Sequence, residues 1–336
     1  MEFSGKMNIF EGLYLFFYLR KKRKAIKCQK KLPFPVISVG NLTVGGTGKT
    51  PFTIALAKEL KKEGYGPVIL TRGYRGSLKR PVIVSEEMNA EDAGDEPLMM
   101  AMEGLKVVKS ADRYEGGIYA IKKFGFNEQD RVIFILDDGF QHWRLSRDLN
   151  ILLVDGYKGF SNSRLIPFGT LRSPLSEIFE ADMIFITKKE NEKLKQALIE
   201  MGIKKIYFAP LKIEGLKDFD GREIKPDGKK AFAFAGIANF QSFIDCLKEL
   251  NLKITGQKKF IDHKKYSKRT LKKIEKLAWN AEIIVTTKKD FVKIKEKADF
   301  LKPRLCYLEI SLKINEESIA NLLNFLLKFK HKTRGA

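Results

Sequence analysis

The sequence predicts an α/β protein: a mostly parallel sheet flanked by helices, followed by a second, smaller α/β domain. Three observations carry that prediction. Short runs rich in Val, Ile and Leu recur along the first two-thirds of the chain without polar alternation, as expected of strands covered on both faces. Helical stretches separate several of these runs, and strand–helix–strand alternation implies parallel strands joined by right-handed crossovers. A polar, turn-rich segment at 218–230 (DFDGREIKPDGKK) then precedes a second set of elements.

Taken in order, residues 35–39, 67–70, 81–84, 106–108, 132–136, 149–154 and 183–186 read as strands, with helices at 51–63 and 113–124. A seam falls between about 205 and 230, where Gly221, Pro226 and Gly228 break regular structure. Beyond it, 230–235, 282–286 and 305–310 read as strands, and 240–250, 270–279 and 319–328 as helices, the last closing the second domain. The resulting division is an apolar and basic leader helix at 1–30, a larger domain at 31–215 and a smaller one at 216–336. One local echo, ITKKE at 186–190 and TTKKD at 286–290, follows a strand in each domain.

The 336 residues carry 63 Lys and Arg against 41 Asp and Glu, a formal net charge of +22. A field of that sign favours anionic partners: nucleic acid, phosphorylated ligands or an anionic membrane surface. Cys28, Cys246 and Cys306 are scattered and odd in number, which argues against a disulfide framework or a zinc site and suits a reducing compartment. Near the start, LYLFFYL at 13–19 runs directly into RKKRK at 20–24. Seven apolar residues are too few to span a bilayer, which takes about 20. The charge also follows the apolar core instead of preceding it, unlike a signal peptide. An aromatic segment beside consecutive cations suits a helix lying in the membrane interface. Met7 is an alternative start.

The strand at 35–39 leads into Gly40-Asn-Leu-Thr43-Val44-Gly45-Gly46-Thr47-Gly48-Lys49-Thr50, and a helix opens at Pro51. Strand, glycine-rich loop and helix in that order form a phosphate-binding loop, which makes the larger domain P-loop NTPase-like. Its glycines let backbone N–H groups converge on phosphate oxygens. Lys49 is expected at the β- and γ-phosphates and the Thr50 hydroxyl on Mg²⁺. The general pattern places glycine at position 43, and this chain has Thr43. The nucleotide is therefore expected on Thr43, Val44, Gly45, Gly46, Thr47, Gly48, Lys49 and Thr50.

The strand at 132–136 ends in Asp137-Asp138-Gly139. Carboxylates at the ligand edge of such a sheet are placed to hold Mg²⁺, directly or through water. Gly94-Asp95-Glu96-Pro97 is a third acidic site, which by spacing alone could equally be a helix N-cap. Of three histidines, His142 follows the Asp pair and His263 lies in the second domain. His331 sits in the basic tail.

Together these motifs resemble one family, the tetraacyldisaccharide 4′-kinases of lipid A biosynthesis. The matching segments are 39–51, TRGYRG at 71–76, AGDEP at 93–97, Asp112-Arg113, LDDGFQH at 136–142 and Asp262-His263. They run in the family's order from about residue 34 to 290, and Thr43 is how this family writes its loop. The resemblance implies ATP-dependent transfer of a phosphoryl group to the 4′-hydroxyl of a tetraacylated disaccharide 1-phosphate lipid. It implies a cleft that closes between two domains, on the cytoplasmic face of the inner membrane, with peripheral attachment. By motif match, Asp95 takes or orients the hydroxyl proton, His263 supports it, and Lys49 with Mg²⁺ neutralises charge. Thr50, Asp137, Asp138 and Glu96 form the implied metal set, Glu96 having the orientation of Lys49 as its other role. The resemblance makes Arg72, Arg113 and Arg172 candidate phosphate contacts. Where related sequences often carry an acid before Pro174, this chain has Ser173.

A competing reading is a P-loop switch or metallochaperone whose hydrolysis gates a partner. Its guanine-reading motif is only loosely approached at 186–190, and clustered Cys or His are absent. A nucleic-acid-binding ATPase is prompted by net charge alone, with no recognised motif. No nucleic acid and no obligate protein partner are expected.

Overall fold

The computed structural model describes residues 8–73, 80–262 and 264–333, the last six by backbone alone. The expectations on Met7, His263, the His331 side chain and the Tyr74–Gly76 part of TRGYRG lie outside the described residues.

The larger half contains α1 (Ile9–Lys27), β1 (Val36–Gly40), α2 (Lys49–Lys62), β2 (Gly66–Thr71), β3 (Val82–Val84), α3 (Ala90–Ala93), α4 (Asp95–Ala101), β4 (Lys106–Lys109), α5 (Arg113–Phe124), β5 (Val132–Asp137), β6 (Leu149–Asp155), β7 (Met183–Lys188) and α6 (Glu192–Glu200). The second set runs β8 (Ile206–Asp218), β9 (Glu223–Ile224), β10 (Lys230–Ala235), α7 (Phe240–Glu249), β11 (Lys253–Lys259), α8 (Lys268–Leu277), β12 (Ile283–Thr287), α9 (Lys288–Ile294), β13 (Leu305–Leu312) and α10 (Glu316–Thr333). All strands join one sheet in the order β11-β10-β12-β13-β8-β7-β6-β1-β5-β2-β4-β3, with β9 paired to β8. Pairing is parallel except where β3 meets β4 and where β8 meets β9 and β13. The mostly parallel α/β architecture is thus the expected one.

The expected seam is occupied by β8. Its first residues pair in parallel with β7 (Ile184 with Ile206, Lys188 with Pro210), and its remainder pairs antiparallel with β13 (Leu312 with Leu211, Cys306 with Asp218). Pro210 sits at the handover, where its missing N–H costs least. Gly215 adopts φ 127° beside a register shift between Glu309 and Ile310, a bulge that glycine accommodates. These two residues interrupt the apolar run and hide the strand from a pattern reading. β11 is hidden differently. Its KITGQKK is lysine-rich because it lies at the sheet edge, where charge discourages further strand addition.

Fully buried Val, Ile and Leu from β1, β5 and β6, with Met183 of β7, surround Phe52 of α2, which packs on Phe185 with ring centroids 4.7 Å apart. The closing helix differs from expectation. Ile319, Leu322 and Leu326 of α10 join this same core of the larger half, together with Leu312 of β13. An apolar stripe is buried where a covering surface exists, and the larger half supplies it.

α1 lies against the larger half by one face. Glu11 accepts two hydrogen bonds from Arg164, at 3.2 and 2.7 Å, and Lys22 pairs with Glu177 at 2.5 Å. Tyr18 meets Trp143 edge-on at 5.2 Å. The opposite face leaves Ile9, Phe10, Leu13, Phe16 and Phe17 exposed, Ile9 by 83%. Among the described residues no helix is long and apolar enough to cross a membrane.

Candidate active site

The carboxyl ends of the strands in the larger half open into one cleft of about 2270 Å³, where open parallel sheets hold their ligands. β1 ends at Gly40, a position that must be glycine because a Cβ there would lie 2.6 Å from the Phe140 Cβ. The chain then loops until α2 opens at Lys49, capped by Gly48 at φ 85° with no side-chain cap. The first N–H groups of α2 therefore remain available to an anion. A Cβ at Gly45 or Gly46 would meet nothing within 4 Å, so the loop tip faces open space.

Several neighbours fasten this loop. Val44 N donates to Thr170 O at 2.7 Å and Arg172 N to Leu42 O at 2.8 Å. At the end of β7, the Thr187 hydroxyl donates to Thr47 O at 2.8 Å. Lys188, at φ 72°, bonds Gly46 O while pairing with Asp155 at 2.5 Å. Asp155, Thr187 and Lys188 are therefore site residues that motif reading passed over. For Lys188 the signal was available in the ITKKE echo.

Asp137 ends β5 and is 3% exposed. Thr71 donates to it at 3.1 Å and Thr53 at 3.5 Å. Burial and the adjacent charges of Glu96 and Asp138 push its carboxyl up to about 7, against the pull of Lys49 and the Thr71 hydrogen bond. Asp138 has the opposite environment. Loss of water would raise it, but Lys49, at 3.7 Å, and the hydrogen-bonded Arg172 hold it well below the usual carboxylate range. Its φ of 49° is left-handed, a strained conformation of the kind that collects at functional sites. Lys49 also donates to Asn41 Oδ1 at 3.2 Å. Arg113, buried between these acids and Arg72, donates to Ala111 O at 3.1 Å.

Across the cleft, α4 starts at Asp95 with Gly94 as its cap, so the Asp95 carboxylate is not the N-cap. Asp95 is 8% exposed, and Lys293 of α9 lies 3.8 Å from its Oδ2. Glu96 pairs with Lys289 at 3.3 Å; Lys49 turns instead to Asn41 and Asp138. Burial works against the Lys289 ammonium, yet Glu96, Asp95 and Asp262 outweigh it and raise its pKa.

The sequence model of the tetraacyldisaccharide-1-P 4′-kinase family matches residues 7–328. The chain belongs to that family. It is 38% identical over 282 residues to a tetraacyldisaccharide 4′-kinase of Geobacter sulfurreducens, covering 81% of this chain and 78% of the relative. With the Aquifex aeolicus enzyme of that name it shares 41% over 275 residues, covering 79% and 81%. A crystal structure of an "apo" form LpxK from Aquifex aeolicus in complex with ATP superposes with a TM-score of 0.74 at 34% identity, covering 95% of this chain and 96% of that one. The switch and metallochaperone alternative is not favoured by these relatives.

The cleft of this 4′-kinase family member is lined by Thr43 to Thr50, Arg72, Asp95, Glu96, Arg113, Asp137, Asp138 and Arg172, so every described residue singled out from the sequence meets there. Asp262, the neighbour of His263, lines it too. Ser173, in the position where an acid was expected, is fully buried and bonded to Gln141 at 2.7 Å. Tyr14, Tyr18, Lys21 and Lys24 of α1 line the same cleft at its outer end. Asp137 is the residue that bears on Mg²⁺ binding. A buried acid crowded by two other carboxylates gains from a cation, so the residues present fit one. Among the described residues no group of three His, Cys, Asp or Glu could hold a metal alone. Mg²⁺ usually takes one or two carboxylates and completes its shell with water and phosphate oxygens.

Proposed function

We propose that the cleft transfers the γ-phosphate of ATP to the 4′-hydroxyl of a tetraacyldisaccharide 1-phosphate. The observation that supports this above others is that Asp95 shares one cleft with Lys49 and the open glycine tip. A sugar hydroxyl is a poor nucleophile, and a carboxylate within reach is the remedy. In this reading Asp95 orients or accepts the hydroxyl proton, with His263 assisting. The loop 43–50 holds the triphosphate, Lys49 faces its β- and γ-phosphates, and Arg72, Arg113 and Arg172 bind phosphate oxygens. Asp137, Thr50 and Glu96 would hold Mg²⁺, which supplies charge neutralisation on the phosphates when bound. Asp138, already engaged by Lys49 and Arg172, would add its charge to that set.

The lipid acceptor accounts for α1. Its exposed aromatic face and the cations at 20–24 suit an anionic bilayer surface, joining apolar burial to charge attraction. Peripheral attachment at the cytoplasmic face of the inner membrane follows from that reading. No nucleic acid and no obligate protein partner enter it. The test is ATP-dependent phosphorylation of tetraacyldisaccharide 1-phosphate in mixed micelles. Labelled lipid is expected, and folded protein that yields none would sink the reading.

A further inference from the structure

The second half of the molecule reaches the acidic turn of the cleft through three lysines of α9. Lys288 bonds Glu103, just past α4, and Glu309 of β13 at 2.6 Å. Lys289 pairs with Glu96 at 3.3 Å and Lys293 stands 3.8 Å from Asp95 Oδ2. Lys293 does not line the cleft; it stands behind Asp95 with its side chain only 12% exposed.

What holds Lys293 is Asp290. This carboxylate is fully buried, accepts from Lys293 at 2.9 Å, from Gly236 N at 2.8 Å and from the Thr287 hydroxyl at 3.0 Å. Gly236 follows β10, and a Cβ there would come within 2.9 Å of Ile261 O, next to Asp262. One buried acid thus ties the end of β10 and the cap of α9 to the lysine behind Asp95. A buried carboxylate with a cation and two further donors is a fixed point. The two Thr-Lys-Lys segments consequently do different work. Lys188 braces the phosphate loop, whereas Lys289 and Lys293 brace the turn opposite it.

We propose that Lys293, anchored by Asp290, and Lys289, paired with Glu96, are positioning residues that fix the Asp95–Glu96 turn for phosphoryl transfer and make its geometry depend on the second half of the molecule. The proposal rests on the phosphotransfer reading above. It assigns neither lysine a contact with substrate.

The experiment compares full-length wild type with Lys293→Met, Lys293→Arg and Lys289→Met, alone and combined with Asp95→Asn. Lys293→Met should lower kcat about 10- to 100-fold, since small misplacements of reacting groups cost that much, while the KM for ATP stays within about threefold. Lys293→Arg should recover part of the loss. In the Asp95→Asn background the Lys293→Met effect should vanish, because a residue acting through Asp95 has nothing left to act on. Loss of the cation beside buried Asp290 should lower the thermal midpoint of Lys293→Met, and hydrogen exchange at residues 95–101 should quicken more than in strands of the larger half remote from Asp290. If Lys293→Met does not fold, Lys289→Met, at a partly exposed position, carries the same expectations. Variants at wild-type kcat and exchange, or losses additive with Asp95→Asn, overturn the proposal. A folded wild type that makes no lipid product overturns the functional reading, and the proposal falls with it.

Discussion

Arg172 grips Asp138 with two parallel hydrogen bonds, Nη1 to Oδ2 at 3.1 Å and Nη2 to Oδ1 at 2.5 Å, while its Nε donates to the Asn41 carbonyl at 3.2 Å. One guanidinium therefore links the DDG turn after β5 to the first residue of the phosphate loop. Such fork-to-carboxylate pairs fix geometry as well as charge.

Replacing Arg172 by Met should remove that link. The Asp138 carboxylate loses its bidentate hydrogen-bond partner and the loop loses a donor. ATP affinity is expected to fall about 10- to 100-fold, the cost of one or two charge-assisted hydrogen bonds. Titration with ATP checks it, and unchanged binding would mean that the loop holds its shape without Arg172.

Asp95→Asn should act on turnover and leave nucleotide binding alone. Loss of a general base typically costs about 10²–10⁴ in rate, so kcat should fall by that order with ATP affinity within about threefold. An equal fall in both would return Asp95 to a structural role.

Gly40→Ala is a test of how the loop is seated. A Cβ would sit 2.7 Å from the Phe140 backbone N, so β1 and the DDGF turn must move apart. The expected loss is about 1–3 kcal/mol, typical of overpacking, read from urea unfolding. Nucleotide affinity should fall with it.

His142 makes stability depend on pH in the acid range. Burial first, then the charge of Arg113, pulls its pKa down to about 4, below the ordinary value near 6.5. The unfolded chain thus binds the proton more readily, and stability present above pH 6.5 is lost progressively as pH falls toward 4. His142→Gln should flatten that slope by about 1–3 kcal/mol across the window. Urea midpoints measured at pH 4.5 and 7 check it; parallel losses in both proteins would clear His142 of the effect.

Changing Phe10, Phe16 and Phe17 together to Ser should weaken sedimentation with anionic phospholipid vesicles by about tenfold or more, given the apolar area withdrawn. Activity on a short-chain soluble acceptor should persist. Undiminished vesicle binding would move the membrane contact away from this face.

The larger half was legible because its strands are covered on both faces. Uninterrupted Val and Ile runs such as 132–136 announce themselves, and α5 was read at the bounds it has, Arg113–Phe124. β8 was not legible, since Pro210 and Gly215 punctuate it and its meaning lies in two different partners. The destination of α10 was hidden too; an amphipathic stripe states that it will be buried, not under which core. In the site, glycine-rich and acidic motifs identified what could touch phosphate. Arg172, Arg113 and Asp138 were each visible as residues, but the fork from Arg172 to Asp138 joins positions 34 apart. Lys293, behind Asp95, was further hidden, because it lies outside the TTKKD echo and one lysine among 63 Lys and Arg carries no distinguishing mark until its partners are seen.

Strand β8 has a mechanical consequence. The two halves are not strung on a flexible tether; they share one beam, hydrogen-bonded to β7 at one end and β13 at the other. Its one irregularity is the bulge where Gly215 faces Glu309. A protease acting on β8 therefore meets paired backbone instead of a slack segment at which to part the halves.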